Sequence, residues 1–185
     1  MDKFVLAGRA RETSEVGSRA TRRLRSQGLM PVNIYGASKP NITVAVNSSD
    51  FYKALEDHHQ LFQIDFDGNS ETGIIKEVQY DLFSDSAIHV DLSRVKANDI
   101  VETTMSILTL GIPKGVSAGA TLDVAYRHVP VRGKVEKLKN SLTVKIDHLE
   151  PNEAIRAKDL EIPTGVECLL ADATQIVIVH ARKGS

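Results

Sequence analysis

A single cysteine, Cys168, occurs among the 185 residues. An internal disulfide and a cysteine-built metal cluster are thereby excluded. Set in Val166-Glu167-Cys168-Leu169-Leu170, the thiol is expected to be a small buried apolar group rather than a nucleophile. No apolar run approaches the roughly 18–20 residues that a membrane-spanning helix needs. The start, Met1-Asp2-Lys3-Phe4, shows no apolar leader followed by a small-residue cleavage site, so a cytoplasmic location is expected. Internal repeats, heptads and low-complexity tracts are missing. So are catalytic signatures. The glycine-rich stretch from Gly111 to Gly119 fits neither a phosphate-binding loop nor a dinucleotide fingerprint. His58 and His59 would diverge on a helix, with no further ligand three or four positions on. His89 and Asp91 have no serine or cysteine nucleophile in a turn motif to serve. An enzyme is not expected, and neither is a metal or a cofactor.

Net charge is scarce as well: 23 Lys and Arg face 24 Asp and Glu. That balance hides an asymmetry. Residues 1–36 hold seven Lys/Arg and three Asp/Glu, about +4, which leaves about −5 for the remainder. In that segment arginine outnumbers lysine six to one, and arginine's flat fork of donors suits phosphate oxygens. Arg19, Arg22, Arg23 and Arg25, with Ser18 and Thr21 among them, crowd between Gly17 and Tyr35. Only Glu12 and Glu15 lie near enough to neutralise them. An unpaired cluster of this kind repels itself, and an anionic partner relieves it more economically than solvent does. The segment is read as the main piece of an RNA-binding face.

The rest of the pattern is mainly β. Residues 4–11 read as a strand. A short helix follows, with Ser18 or Thr21 as N-cap, Leu24 toward the core and Gly28 as the stop. Residues 32–36 and 41–46 alternate like strands, and Asn47-Ser48-Ser49 can cap a helix through Phe51, Tyr52 and Leu55. Asp67-Gly68 between two alternating apolar runs marks a hairpin. Residues 74–80 and 87–95 supply further strands, and short strands with two short helices point to a small β-barrel-like domain. A polar stretch at Lys96-Ala97-Asn98-Asp99 divides an RNA-binding domain, 1–95, from a second mostly-β domain, 96–185. Strands are expected there over 101–110, 129–135, 142–146, 166–170 and 175–179, with acidic punctuation from Asp147, Glu150, Glu153, Asp159 and Glu161.

On the strand through Ile88-His89-Val90-Asp91-Leu92, alternation turns Ile88, Val90 and Leu92 to the core and His89 and Asp91 outward. The outward pair is either a ligand-facing carboxylate and imidazole or a solvated strand face. Gln79 is an amide on another alternating strand, suited to base edges or simply to surface. Tyr35 ends a strand, where its ring and hydroxyl pack across a turn or meet a nucleotide.

Four separated motifs, in order, carry a resemblance. They are Thr21-Arg22-Arg23-Leu24-Arg25, Pro31-Val32-Asn33-Ile34-Tyr35-Gly36, Val78-Gln79 and Ile88-His89-Val90-Asp91. They resemble the bacterial large-subunit ribosomal protein family that binds 5S rRNA, in its long two-domain form, the general stress protein CTC family. Gly111-Ile112-Pro113-Lys114-Gly115-Val116 with Gly119, and the run from Asp159 to Val166, extend the likeness over nearly the whole chain. The resemblance implies an N-terminal six-stranded β-barrel that docks on 5S rRNA near its irregular loop E. By the same likeness, Arg11, Thr21, Arg22, Arg25, Tyr35, Gln79, His89 and Asp91 are the residues expected to touch RNA. Ser18 and Arg19 stand where the family commonly has lysine and glycine, which displaces the basic group by one residue. Partners would be 5S rRNA and neighbouring large-subunit components, with no membrane, and the free protein is expected to be a monomer. The competing reading is a stress-related adaptor that uses an acidic C-terminal domain on protein partners.

Overall fold

Alternating apolar residues in the first hundred positions form six strands because each can bury one face and wet the other. The computed structural model describes residues 1–81, 86–117 and 119–181. The strands are β1 (Lys3–Ala10), β2 (Leu29–Tyr35), β3 (Ile42–Asn47), β4 (Leu61–Phe66), β5 (Asn69–Tyr80) and β6 (Ala87–Arg94). They close a barrel in the order β1-β3-β2-β6-β5-β4. Closure depends on the parallel pairing of β1 with β4, from Lys3 opposite Leu61 to Gly8 opposite Phe66. The interior holds Leu6, Val32, Ile34, Val44, Val46, Phe62, Ile64, Val90 and Leu92, all almost fully buried. Asp67 and Gly68 both take positive φ, 47° and 77°, as a two-residue hairpin turn between β4 and β5 requires.

Helix α1 (Ser18–Ser26) begins one residue earlier than a side-chain cap would set it. Its N-cap is Gly17, at φ 106°, and neither Ser18 nor Thr21 caps it. A glycine adopts that backbone angle without steric cost, so the chain can turn sharply into the helix there. At the other end Gly28 takes φ 76° as the stop. Helix α2 (Ser48–Glu56) is capped by the Asn47 side chain, which accepts from the amides of Ser49 and Asp50. Its Phe51 and Ala54 are buried against the barrel interior.

Pro31 lies inside β2, a strand with neighbours on both sides. It pairs with Ala45 of β3, whereas the ladder to β6 opens only at Val32. A missing N–H is tolerated because the second neighbour has not yet begun. Along β5 and β6 the register slips twice, between Ile75 and Glu77 and between Gln79 and Tyr80. The second bulge leaves Ile88 unpaired and partly exposed, not in the core as simple alternation predicts.

The chain separates into two compact units, Met1–Asp99 and a second that starts at Ile100. The second unit is β as well. A four-stranded sheet has the order β10-β7-β9-β12, and a three-stranded sheet the order β11-β13-β8. Their strands are β7 (Ile100–Leu110), β8 (Thr121–Val124), β9 (His128–Lys134), β10 (Ser141–Lys145), β11 (Ala154–Arg156), β12 (Val166–Cys168) and β13 (Gln175–His180). Strands β8 and β11 have no counterpart in the sequence reading, and a one-turn helix α3 (Lys114–Ser117) occupies part of the glycine-rich stretch, whose Ala118 lies outside the described residues. The strand expected over 166–170 stops at Cys168. Cys168 is partly exposed rather than buried, because β12 is an edge strand that, among the described residues, pairs with β9 alone.

Candidate nucleic-acid interface

Three neighbouring strands, β5, β6 and β2, expose one polar outer face. Since Val90 and Leu92 turn inward, His89 and Asp91 turn outward; the same alternation sends Asn33 and Tyr35 of β2 and Glu77 and Gln79 of β5 to that side. The register arranges them in rows. Gln79 stands opposite His89, and Glu77 opposite Asp91, whose parallel partner on β2 is Asn33. Asn33 in turn faces Thr43 of β3, and Tyr35 stands beside Ser93. Tyr35, Gln79, His89 and Asp91, drawn from three separate motifs, thus share one surface.

His89 Nδ1 lies 3.2 Å from Asp91 Oδ1, with each side chain about a quarter exposed (23% and 25%). Contact is close but off the line of a hydrogen bond, and Oδ1 is buried without a hydrogen-bond partner among the described residues. Gln79 Nε2 donates to Glu77 Oε1 at 3.2 Å, which fixes the amide's orientation on the strand.

Helix α1 packs against β2 beside this face, with Leu24 buried beneath it. Pro31 and Ala45, outward by alternation, are buried too, consistent with a helix lying over them. Arg25 Nη1 reaches across to the carbonyl of Ile88, 3.2 Å away, and the Tyr52 hydroxyl donates to the carbonyl of Ala87 at the same distance. Both carbonyls sit at the bulge, where the ladder is broken. Side chains from two helices therefore satisfy the backbone that carries His89.

At about 100° per residue, Ser18, Arg22 and Arg25 form one stripe of α1. Arg19 and Arg23 lie farther round; Arg23 lines a separate groove with Arg9, Glu12, Ser14, Glu15 and Gln27. Among the described residues, no carboxylate pairs with Arg19, Arg22, Arg23 or Arg25. The acid nearest to α1 in the chain is already taken: Glu15 is held by both terminal nitrogens of Arg9, at 2.5 and 2.7 Å. That guanidinium pulls the Glu15 carboxyl down to about 2. Glu12 is engaged in the capping of the short 3-10 turn Thr13–Glu15.

Arg11 behaves differently from the other arginines. Its Nη2 donates to the Glu15 carbonyl and, at 3.0 Å, to the Thr21 hydroxyl. Arg11 and Thr21 are thereby bound to each other, bracing the entry of α1 instead of extending outward. Ser18, Arg19, Arg22 and Arg23 are exposed. Asn33 and Glu77 were not singled out in the sequence reading, although Asn33 alternates with Tyr35 in the same run and could have been found by that signal.

Comparison with known proteins places the chain in a family. The Ribosomal L25p family model matches residues 6–92, and that of the ribosomal protein TL5 C-terminal domain matches residues 100–183. The chain is similar to proteins named large ribosomal subunit protein bL25. With that of Akkermansia muciniphila it is 30% identical over 177 residues, covering 94% of this chain and 88% of the relative. With that of Nitratiruptor sp. the identity is 30% over 180 residues, covering 97% and 100%. With that of Listeria monocytogenes it is 35% over 140 residues, covering 75% and 68%.

Proposed function

Since the chain belongs to the bL25 family of large ribosomal subunit proteins, we propose that it docks on 5S rRNA through the outer face of β5, β6 and β2 and the arginines of α1. It is a structural ribosomal protein and not an enzyme. In this reading residues 1–95 form the RNA-binding domain and 96–185 a second domain facing other subunit components, the protein works on the cytoplasmic ribosome, and it is monomeric when free. One observation carries the proposal: Tyr35, Gln79, His89 and Asp91 lie on one surface, and Arg25 ties the arginine helix to its edge.

The division of labour follows from chemistry. Arginines at phosphates give affinity and register with little sequence information. Base edges in the wide, shallow groove of RNA are read by groups that donate and accept, here the Gln79 amide, the His89 ring and the Asp91 carboxylate. A tyrosine ring at the margin can stack on an unpaired base.

The adaptor reading finds no support in these comparisons, and its charge premise also fails. Residues 100–185 hold 11 Lys/Arg and 10 Asp/Glu, so no acidic surplus exists there. Some of the acids serve the backbone: Glu153 accepts from the Glu150 amide at 2.9 Å and Asp159 from the Arg156 amide at 3.0 Å.

Binding of the full chain to a 5S rRNA transcript, with transfer RNA as competitor, tests the proposal. Asp91→Asn is expected to weaken binding about ten- to a hundredfold, by removing a charged acceptor worth about 1.5–3 kcal/mol, with the melting temperature little changed. Undiminished affinity in that variant would remove Asp91 from the interface; a wild-type chain that fails to bind 5S rRNA sinks the whole reading.

A further inference from the structure

The geometry points to Asn33 as a further specificity-determining residue of this surface, its amide contacting a nucleotide beside the one held by Asp91. The inference rests on the RNA-binding reading above and extends it to a residue with no assigned role. Asn33 lies on β2, at the margin of the face nearest α1, between Thr43 of β3 on one side and Asp91 of β6 on the other, and is partly exposed. Asparagine is disfavoured inside a strand, where β-branched residues pack best. Its immediate neighbours Val32 and Ile34 follow that preference and fill the core. Nothing in the fold accounts for an amide at this position. Among the described residues, no group hydrogen-bonds the Asn33 side chain.

A ligand does account for it. Base edges in the shallow groove of RNA offer acceptors, N3 of a purine or O2 of a pyrimidine, alongside the ribose 2′-hydroxyl. A carboxylate can only accept from that surface. An amide next to it donates through nitrogen to a base acceptor and accepts through oxygen from a 2′-hydroxyl. Asn33 and Asp91, adjacent in register, together match a mixed donor and acceptor edge that neither reads alone. Glu77, on the far side of Asp91, adds another acceptor and cannot substitute for the amide.

Two variants of the full chain, measured by fluorescence anisotropy on a 5S rRNA transcript, decide the matter. Asn33→Val removes both hydrogen-bonding groups while improving strand propensity, so its fold should hold. About five- to tenfold weaker binding is expected, with the slope of affinity against salt unchanged because no phosphate contact is lost. Asn33→Asp keeps the shape but replaces the donor by a second negative charge beside Asp91, and should lose more. It also serves should the valine variant lower the melting temperature. Wild-type affinity in either folded variant, with Asp91→Asn still weakened, overturns the Asn33 assignment alone. Absence of binding by the wild-type chain overturns this assignment together with the reading it extends.

Discussion

Arg9 and Glu15 decide how much of the arginine helix stays uncompensated. Glu15 is the acid nearest to α1 in the chain, yet two hydrogen bonds commit it to Arg9, and the four arginines from Arg19 to Arg25 keep their full charge for an anionic partner. The same contact lowers the Glu15 carboxyl from its ordinary 4.5 to about 2, with the Arg9 hydrogen bond as the main cause. A carboxyl depressed in the folded state stabilises the fold above its unfolded value, and this contribution fades as pH falls from about 4.5 through about 2. The pair is solvent-exposed, so the change in stability will be small, and the titration itself is the sensitive readout. In Arg9→Met, carboxyl NMR of the full chain should find the Glu15 midpoint moved well up from about 2 toward 4.5. A midpoint that stays low would mean that the backbone amide of Glu12, not the guanidinium, sets it.

Among the elements, α3 shows why a glycine-rich stretch need not be a ligand loop. Gly115 donates to the Leu149 carbonyl at 3.0 Å and accepts from the Ala120 amide at 2.9 Å. A Cβ there would lie 2.7 Å from Val179 Cγ1 and 3.0 Å from the Pro151 nitrogen. The valine methyl can rotate away, but the backbone nitrogen cannot. Gly115→Ala should therefore cost about 1–2 kcal/mol net, overpacking outweighing the gain in helix propensity. Urea unfolding of the full chain measures it, and an unchanged or higher midpoint would show that Val179 and the backbone at Pro151 give way. Close approach of this kind cannot be read from sequence, since it depends on a partner more than thirty residues away. The same limit hid β8 and β11, which are only four and three residues long and owe their extended form to pairing with β13. By contrast, the hairpin at Asp67-Gly68, the stop at Gly28 and the outward set on β6 were legible, because turn chemistry and alternation act within a few residues. The closing pair β1–β4 was not; its six-stranded form came from family resemblance. Asn33 was overlooked for a further reason: alternation marks it as outward, but only the register with Asp91 gives it a neighbour to act with.

For the whole molecule, the near-zero net charge and the local cationic helix make opposite forecasts about RNA binding. Residues 1–99 hold 12 Lys/Arg and 14 Asp/Glu, so the unit that carries α1 is itself slightly acidic. Electrostatics summed over the chain would give weak attraction with little salt dependence. Phosphate contacts, however, act over about a Debye length of 8–10 Å, and counterion release counts only the charges that reach the backbone. With Arg19, Arg22, Arg23 and Arg25 in contact, log affinity for 5S rRNA should fall with log salt at a slope of about −3 to −4 between about 50 and 200 mM. Arg22→Ala should flatten that slope by about one unit and weaken binding to cognate and competitor RNA alike, unlike Asp91→Asn, which acts on the cognate RNA alone. A wild-type slope near zero would mean that the arginines do not touch phosphate, leaving affinity to the polar strands. A slope far steeper than four contacts allow would bring in the 11 basic residues from Ile100 onward, and the second unit would then bind RNA as well.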